Sequence, residues 1–155
     1  MEIIKITERE REPELLEALV LIWEDSVRQT HTFLEEADIE ALRPLVRQGL
    51  EFIPELWVLK AADNGYKGFM GIDGKKLEML FIESSMRGQG GGSKLLGHAV
   101  SRLGVTEVDV NEQNPQAYGF YQKYGFKKYA RSELDGQGKP FPILHLRCLP
   151  GQGHK

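Results

Sequence analysis

Ten consecutive residues carry the clearest chemistry in this chain: Arg87-Gly88-Gln89-Gly90-Gly91-Gly92-Ser93-Lys94-Leu95-Leu96. They follow an apolar run, Leu80-Phe81-Ile82, and precede apolar residues at helical spacing. Three successive glycines where a strand becomes a helix weaken both elements, because glycine loses the most backbone freedom on folding. Such a run is retained where a bulky anion has to come close to the backbone. Amide N–H groups at the helix start then face phosphate oxygens, and the helix dipole favours their charge. The segment therefore predicts a pyrophosphate site.

Three kinds of phosphate site compete for it. A P-loop needs Gly, four residues, then Gly-Lys-Ser/Thr; here Ser93 precedes Lys94, so that spacing fails. A dinucleotide fold needs Gly-x-Gly-x-x-Gly and a later acidic residue. Gly88 and Gly90 fit, Ser93 stands at the third position, and Asp109 is a possible acidic partner. Its context is wrong, because the loop follows an antiparallel meander rather than opening a βαβ unit. The third kind is set by the elements around the loop and by a second motif.

The elements that must position this loop can be read from periodicity and turn residues. Glu2 to Ile6 alternates as a strand, and Thr7 is placed to cap the helix after it. Leu15, Leu16, Leu19, Val20, Ile22 and Trp23 recur at helical spacing. Thr30-His31-Thr32-Phe33 breaks that helix. Ala37 to Gly49 reads as a second helix, with Leu42, Leu45 and Val46 on one face, Gly49 at its end and Pro54 beyond. A meander comes next: Leu56 to Leu59, a turn at Asp63-Asn64-Gly65, Gly68 to Ile72, a turn at Asp73-Gly74, and Leu77 to Ile82. After the glycines come a helix through Leu103, a strand from Val105 to Val110, a helix from Gln116 to Tyr124, a strand from Phe126 and a last strand from Ile143 to Leu149. The strand–helix–strand crossover makes Leu77–Ile82 and Val105–Val110 parallel neighbours. The order predicts an α/β (α+β) fold with a mixed sheet of about seven strands and helices on both faces.

Composition narrows the classes. The 155 residues suit one domain, expected over 1–149, with 150–155 as a flexible tail. A net charge of −3 leaves no basic field for non-specific nucleic-acid binding. No apolar run approaches membrane-spanning length, and the first residues do not read as a secretory signal. The single cysteine, Cys148, cannot pair within the chain, which suits a reducing, cytoplasmic compartment. It reads as a small hydrophobe. The histidines and cysteine show no metal spacing.

The second motif is Asn114-Pro115-Gln116-Ala117-Tyr118-Gly119-Phe120-Tyr121-Gln122-Lys123-Tyr124-Gly125-Phe126. Together with Arg87-x-x-Gly90-x-Gly92 it resembles the GCN5-related N-acetyltransferase (GNAT) superfamily. That family's pattern here is Asn-x-x-Ala-x-x-Phe-Tyr-x-Lys-x-Gly-Phe, and every specified position is met. The resemblance is strong from Leu56 to Arg131. More narrowly, Trp23 to Phe33, Asn111 to Asn114, and Arg131-Ser132-Glu133-Leu134 with Gly138-Lys139-Pro140 are similar to YjaB-type acetyltransferases of enteric bacteria.

The resemblance implies direct transfer of an acetyl group from acetyl-CoA (coenzyme A) to an amine. It places the pyrophosphate on the backbone of Gln89, Gly90, Gly91 and Gly92, with Ser93, Gly88 and Arg87 beside it. It implies a splayed parallel strand pair into which the pantetheine arm inserts along Leu80, Phe81 and Ile82, the Leu80 amide facing the thioester carbonyl. Asn114 matches a cofactor contact and Tyr121 the general acid for the departing thiolate. A phenol near pKa ~10 is able to protonate a thiolate whose thiol is near ~8.5. The alternative for Tyr121 is a core aromatic. A base for the ammonium is less legible. Glu78 leads because it lies two residues before Leu80 on one strand; Asp109, Glu112 and a water are rivals.

For the acceptor, His31 and Phe33 fall where the family lines its pocket, with Trp23 and Trp57 as further walls or as core. The Lys139-Pro140-Phe141-Pro142 loop shapes the entry to the last strand or closes over the acceptor. Lys123, Lys127, Lys128 and Arg131 read as a solvated face, or else as a contact to the cofactor's 3′-phosphate. The reading is an N-acetyltransferase acting on a primary amine of a small molecule, as monomer or homodimer, without nucleic-acid or membrane partners. A protein lysine or N-terminus is the alternative acceptor, and an acyl-CoA sensor without turnover the alternative function.

Overall fold

A computed structural model describes the chain from Met1 to Leu149. The tail expected at 150–155 lies outside the described residues. Seven strands form one sheet: β1 (Glu2–Ile6), β2 (Glu55–Lys60), β3 (Tyr66–Asp73), β4 (Lys76–Ile82), β5 (Glu107–Asn111), β6 (Lys127–Ser132) and β7 (Ile143–Arg147). Their order is β1-β2-β3-β4-β5-β7-β6. The β4–β5 pair is parallel, as the crossover requires, and β1–β2, β2–β3, β5–β7 and β6–β7 are antiparallel. The helices are α1 (Pro13–Thr30), α2 (Glu36–Phe52), α3 (Gly91–Leu103) and α4 (Pro115–Lys123). The mixed sheet read from the order of elements is the one the chain forms.

Two compact units share the chain. One joins Met1–Asp73 to Met79–Leu96, and the other joins Gly74–Glu78 to the chain from Gly97 onward. The core of the first is built by α1, α2 and the adjoining strands. Leu15, Leu16, Leu19, Val20, Trp23 and Val27 of α1 pack with Ile39 and Leu50 of α2, Leu56 and Val58 of β2, and Phe69 of β3. In the second, Val108 and Val110 of β5 and Leu144 and Leu146 of β7 are buried with Tyr121 of α4 and Phe126, while alternate residues of those two strands are half-buried or exposed. Cys148 is buried just past β7, as a small hydrophobe would be.

Turn chemistry holds where the residue types are specific: Asn64 has φ +66° and Gly74 φ +64°, both left-handed. Helix ends depart from the sequence pattern. Thr7 caps a short 3-10 turn at Glu8–Glu10, and α1 begins only at Pro13. Gly49 lies inside α2, which runs to Phe52 and carries Pro44 in its interior. Leu45 is 46% exposed, so it leaves the face assigned to Leu42 and Val46. The C-terminal end of α2 is closed by a distant cation. Arg11 Nη1 donates to the carbonyls of Leu50 (3.2 Å), Glu51 (3.1 Å) and Ile53 (2.6 Å). These are carbonyls that a helix end leaves without intrahelical donors.

Candidate active site

The turn between β4 and α3 is largely self-bonded before the glycines begin. Met86 N–H donates to Glu83 O, Arg87 N–H to Ser84 O, and Gln89 N–H to Met86 O at 3.2 Å. The Gln89 amide is therefore engaged within the turn. The first α3 bond runs from Lys94 N–H to Gly90 O at 2.9 Å. The N–H groups of Gly91 and Gly92 precede it and have no partner one turn back.

The glycines serve two different ends. Gly88 and Gly90 sit at φ +76° and +80°, where a side chain strains the backbone, and a Cβ on either would meet nothing within 4 Å. Gly91 has room for no such atom without movement: its Cβ would lie 3.1 Å from Leu59 Cδ2. So two glycines set the backbone direction and leave open space in front of it, and one lets α3 pack closely on β2. Open, left-handed backbone leading into helix amides fits a pyrophosphate. Arg87 is exposed beside it.

Leu80, Phe81 and Ile82 are half-buried at the end of β4. Parallel pairing between β4 and β5 covers only Lys76↔Glu107 and Leu77↔Val108. The two strands stop pairing beyond that point, which is the splay the resemblance implies.

In the second unit, Asn114 is buried and its Oδ1 accepts the Ala117 N–H at 3.2 Å, capping α4 ahead of Pro115. That cap is its visible role. Tyr121 is buried edge-on to Phe120 (5.2 Å between centroids) and Phe126 (5.7 Å). Burial pushes its phenol well above the usual range, so it stays protonated at any working pH.

The three candidate bases separate clearly. Glu112 is held by Arg131 through two bonds of 2.6 and 2.9 Å, which keep its carboxyl below the usual range. Glu78 and Asp109 share one ammonium: Lys76 Nζ lies 3.9 Å from Glu78 Oε1 and 2.8 Å from Asp109 Oδ2. The hydrogen bond to Asp109 raises the Lys76 ammonium above its ordinary value. Asp109 Oδ1 also meets His145 Nδ1 at 2.7 Å, and His145 Nε2 meets Ser132 Oγ at 2.7 Å. Motif and periodicity do not single out Lys76, His145 or Ser132. The only signal for His145 is that β7 places it directly opposite Asp109.

On the acceptor side, the His31 and Phe33 rings meet at 5.4 Å, tilted by 50°, and Thr30 Oγ1 lies 2.7 Å from His31 Nδ1. Burial, with Arg87 as a second cause, pushes the His31 imidazole down to about 4. His31 lines a depression of about 280 Å³ with Arg28, Thr32, Leu34, Glu36 and Ile39. Phe33 is not among its walls. Trp23 is core, at 4% exposure, and Trp57 Nε1–H donates to Glu55 Oε1 at 3.2 Å. The Lys139–Pro142 loop is tied down by its own bonds and by Glu112 N–H to Pro142 O at 2.9 Å. Lys123, Lys127 and Lys128 are exposed, and Arg131 is spent on Glu112. Among the described residues no group of three side chains is suited to a metal ion, and no helix is long and apolar enough to cross a membrane.

Known proteins resemble this chain throughout. A family model described as an acetyltransferase (GNAT) domain matches residues 28–142. The peptidyl-lysine N-acetyltransferase YjaB of Salmonella typhimurium is 45% identical over 132 residues, covering 84% of this chain and 89% of that protein. The Escherichia coli peptidyl-lysine N-acetyltransferase YiaC is 28% identical over 119 residues, covering 76% and 81%. The solution structure of apo YjaB from E. coli superposes with a TM-score of 0.82 at 40% identity, over 97% of this chain and all of that one. The PaiA N-acetyltransferase of Thermoplasma acidophilum, in complex with coenzyme A, shares the fold at TM-score 0.68 and 21% identity, over 96% of this chain and 100% of that one.

Proposed function

This chain belongs to the GNAT family of acetyltransferases, and on that premise we propose that it moves the acetyl group of acetyl-CoA to the side-chain amine of a lysine in a protein or peptide. The small-molecule acceptor expected from the sequence gives way to the alternative. Two relatives at 45 and 46% identity over most of both chains are named for peptidyl-lysine. The depression beside His31 fits that change. Its walls are charged, polar and aliphatic, with no large aromatic ring to enclose a small amine.

One observation carries the transfer reading. Gly88 and Gly90 turn the backbone left-handed and leave the amides of Gly91 and Gly92 ahead of the first α3 bond. In this scheme those amides, with Ser93 and Arg87, hold the pyrophosphate. The Leu80 amide polarises the thioester carbonyl, and Phe81 and Ile82 line the pantetheine arm. Asn114 positions α4, and Tyr121 gives its proton to the leaving thiolate. His31 and Phe33 shape the approach of the acceptor. Residues 1–149 act as one transferase domain, working in the cytoplasm.

The test has two stages. Calorimetric titration with acetyl-CoA, CoA and NADH comes first; a preference for NADH sinks the cofactor assignment. Release of CoA thiol is then followed with lysine peptides and with a panel of small amines. Faster turnover on small amines overturns the lysine reading, and tight binding without thiol release makes the chain a sensor. Tyr121→Phe is expected to lower kcat by about 100-fold while acetyl-CoA affinity changes by less than about threefold. Unchanged kcat removes Tyr121 as the acid.

A further inference from the structure

The end of α1 fixes which nitrogen of His31 carries a proton. The Thr30 hydroxyl donates to the Ser26 carbonyl, one turn back, at 2.9 Å. A carbonyl only accepts, so the single hydroxyl proton is committed there. The same Oγ1 lies 2.7 Å from His31 Nδ1, and both contacts hold together only if Nδ1–H donates to Thr30. Nε2 is then the bare nitrogen, with its lone pair in the plane of the ring. Among the described residues no side chain bonds it, and His31 is half-buried in the wall of the depression.

The charged walls of that depression are closed on one another. Arg28 gives Nη1 and Nη2 to the two Glu36 oxygens at 2.7 and 2.8 Å, and Nε to Glu24 at 3.0 Å. About 280 Å³ of space thus offers an incoming group the apolar sides of Leu34 and Ile39, the Thr32 hydroxyl, and one acceptor of fixed direction. That acceptor suits a neutral donor. Burial and the Arg87 charge push the imidazole down to about 4, so it stays uncharged in use, and both act in the same sense against an ammonium placed on Nε2. A main-chain amide carries no charge to desolvate. An extended peptide advances about 3.3 Å per residue, so a residue flanking the target lysine is able to enter the depression while the lysine itself lies elsewhere.

We propose that His31 is a specificity residue: its Nε2 accepts a main-chain N–H of the peptide flanking the target lysine, and Thr30 holds the ring in the accepting tautomer. This deepens the lysine-peptide reading and rests on it. The Ser26 carbonyl, the Thr30 hydroxyl and the imidazole form one line of hydrogen bonds that keeps acceptor character on the open side of the ring. His31 binds and orients; it takes no proton.

The decisive experiment is a double-mutant cycle between enzyme and peptide. Each main-chain amide flanking the lysine is N-methylated in turn, and every peptide is assayed at saturating acetyl-CoA with wild type, His31→Leu and His31→Gln. His31→Leu is expected to raise the peptide KM by about tenfold, with kcat within about twofold and acetyl-CoA affinity unchanged. One methylated position should cost the wild type a similar factor and cost His31→Leu nothing further. His31→Gln, whose side-chain carbonyl accepts in place of Nε2, should recover most of the loss. Thr30→Val should raise KM by about threefold. An unchanged KM in His31→Leu, a loss in kcat alone, or a methylation penalty as large in His31→Leu as in wild type overturns the proposal. A peptide with norleucine for the target lysine keeps the main chain and has no ammonium. Titrated into CoA-loaded protein, it should bind about tenfold more weakly to His31→Leu than to wild type. Equal binding to both would make the ammonium the partner of His31 and refute the main-chain assignment. Independently of activity, nitrogen NMR should show His31 as the Nδ1–H tautomer in the wild type and as a mixture in Thr30→Val; an Nε2–H tautomer in the wild type refutes the orientation. Norleucine peptide held through His31 by a protein that acetylates no lysine peptide would sink the transfer reading and leave the docking site standing. Binding of neither peptide would sink both.

Discussion

Asp25 on α1 accepts two hydrogen bonds from Ser84: its Oδ2 from the backbone amide at 2.6 Å and its Oδ1 from the hydroxyl at 3.0 Å. Ser84 opens the turn that leads into the glycine segment. One carboxylate thus ties α1, which ends beside His31, to the start of the proposed pyrophosphate cradle. Hydrogen bonds to a charged acceptor contribute about 1.5–3 kcal/mol each, and a stranded amide costs about as much.

Asp25→Ala should lower stability by about 1–3 kcal/mol, read as a shift of the urea midpoint without a change in slope. Acetyl-CoA should bind more weakly, because the turn before Gly88 loses its anchor. Asp25→Asn keeps one acceptor oxygen and should fall between. A wild-type midpoint and wild-type affinity in Asp25→Ala would show that the tether carries no weight.

Gly90 and Gly91 predict opposite kinds of damage. Gly90→Ala meets no neighbour but must hold φ +80°, a strain of about 1–2 kcal/mol. It should raise the acetyl-CoA dissociation constant by about tenfold as the backbone relaxes away from the left-handed region. Gly91→Ala keeps a helical backbone and needs Leu59 to give by a few tenths of an ångström from 3.1 Å. Its loss should stay within about 1 kcal/mol, since alanine is the better helix former. Thermal unfolding and calorimetry on both variants check the ranking; the reverse order would mean that packing, not backbone direction, fixes this loop.

The buried His31 makes stability depend on acidity. Its folded pKa is pushed down to about 4 by burial, against about 6.5 in an unfolded chain. Between those values the unfolded state binds the extra proton, so stability falls as pH drops. Above about 6.5 both states are neutral and His31 contributes no slope. The loss grows from there down to about pH 4 and amounts to roughly 3 kcal/mol at most. His31→Gln should flatten the stability profile in that window while leaving the profile above pH 7 parallel to wild type. An unaltered slope between pH 4 and 6.5 would assign the acid sensitivity to other groups.

The meander was legible because its turns depend on local residues: Asn64 and Gly74 adopt the left-handed angles their types favour. The motif around Tyr121 was legible for the same reason, since a helix cap, a helix and a Gly-Phe exit adjoin each other in one stretch. Long-range pairing was not. Arg11 closes a helix that ends about 40 residues away, and nothing near Gly49 signals that α2 runs on past it. Ser132, His145 and Asp109 are separated by 13 and 36 positions and meet only once β5, β7 and β6 are in register. Glu78, Asp109 and Glu112 look equivalent as sequence. Arg131 holds Glu112, whereas Glu78 and Asp109 share Lys76 at 3.9 and 2.8 Å, a difference that depends on packing.

The reach of Arg11 also bears on how this chain can be divided. A fragment beginning at Pro13 contains all of α1 and α2 as sequence, yet lacks the guanidinium that satisfies the carbonyls of Leu50, Glu51 and Ile53. Trimming the first dozen residues would therefore remove more than an edge strand; it would leave the far helix open at its end. During synthesis the order is favourable. Arg11 leaves the ribosome before α2 does, so the cap is already waiting when the helix it closes emerges.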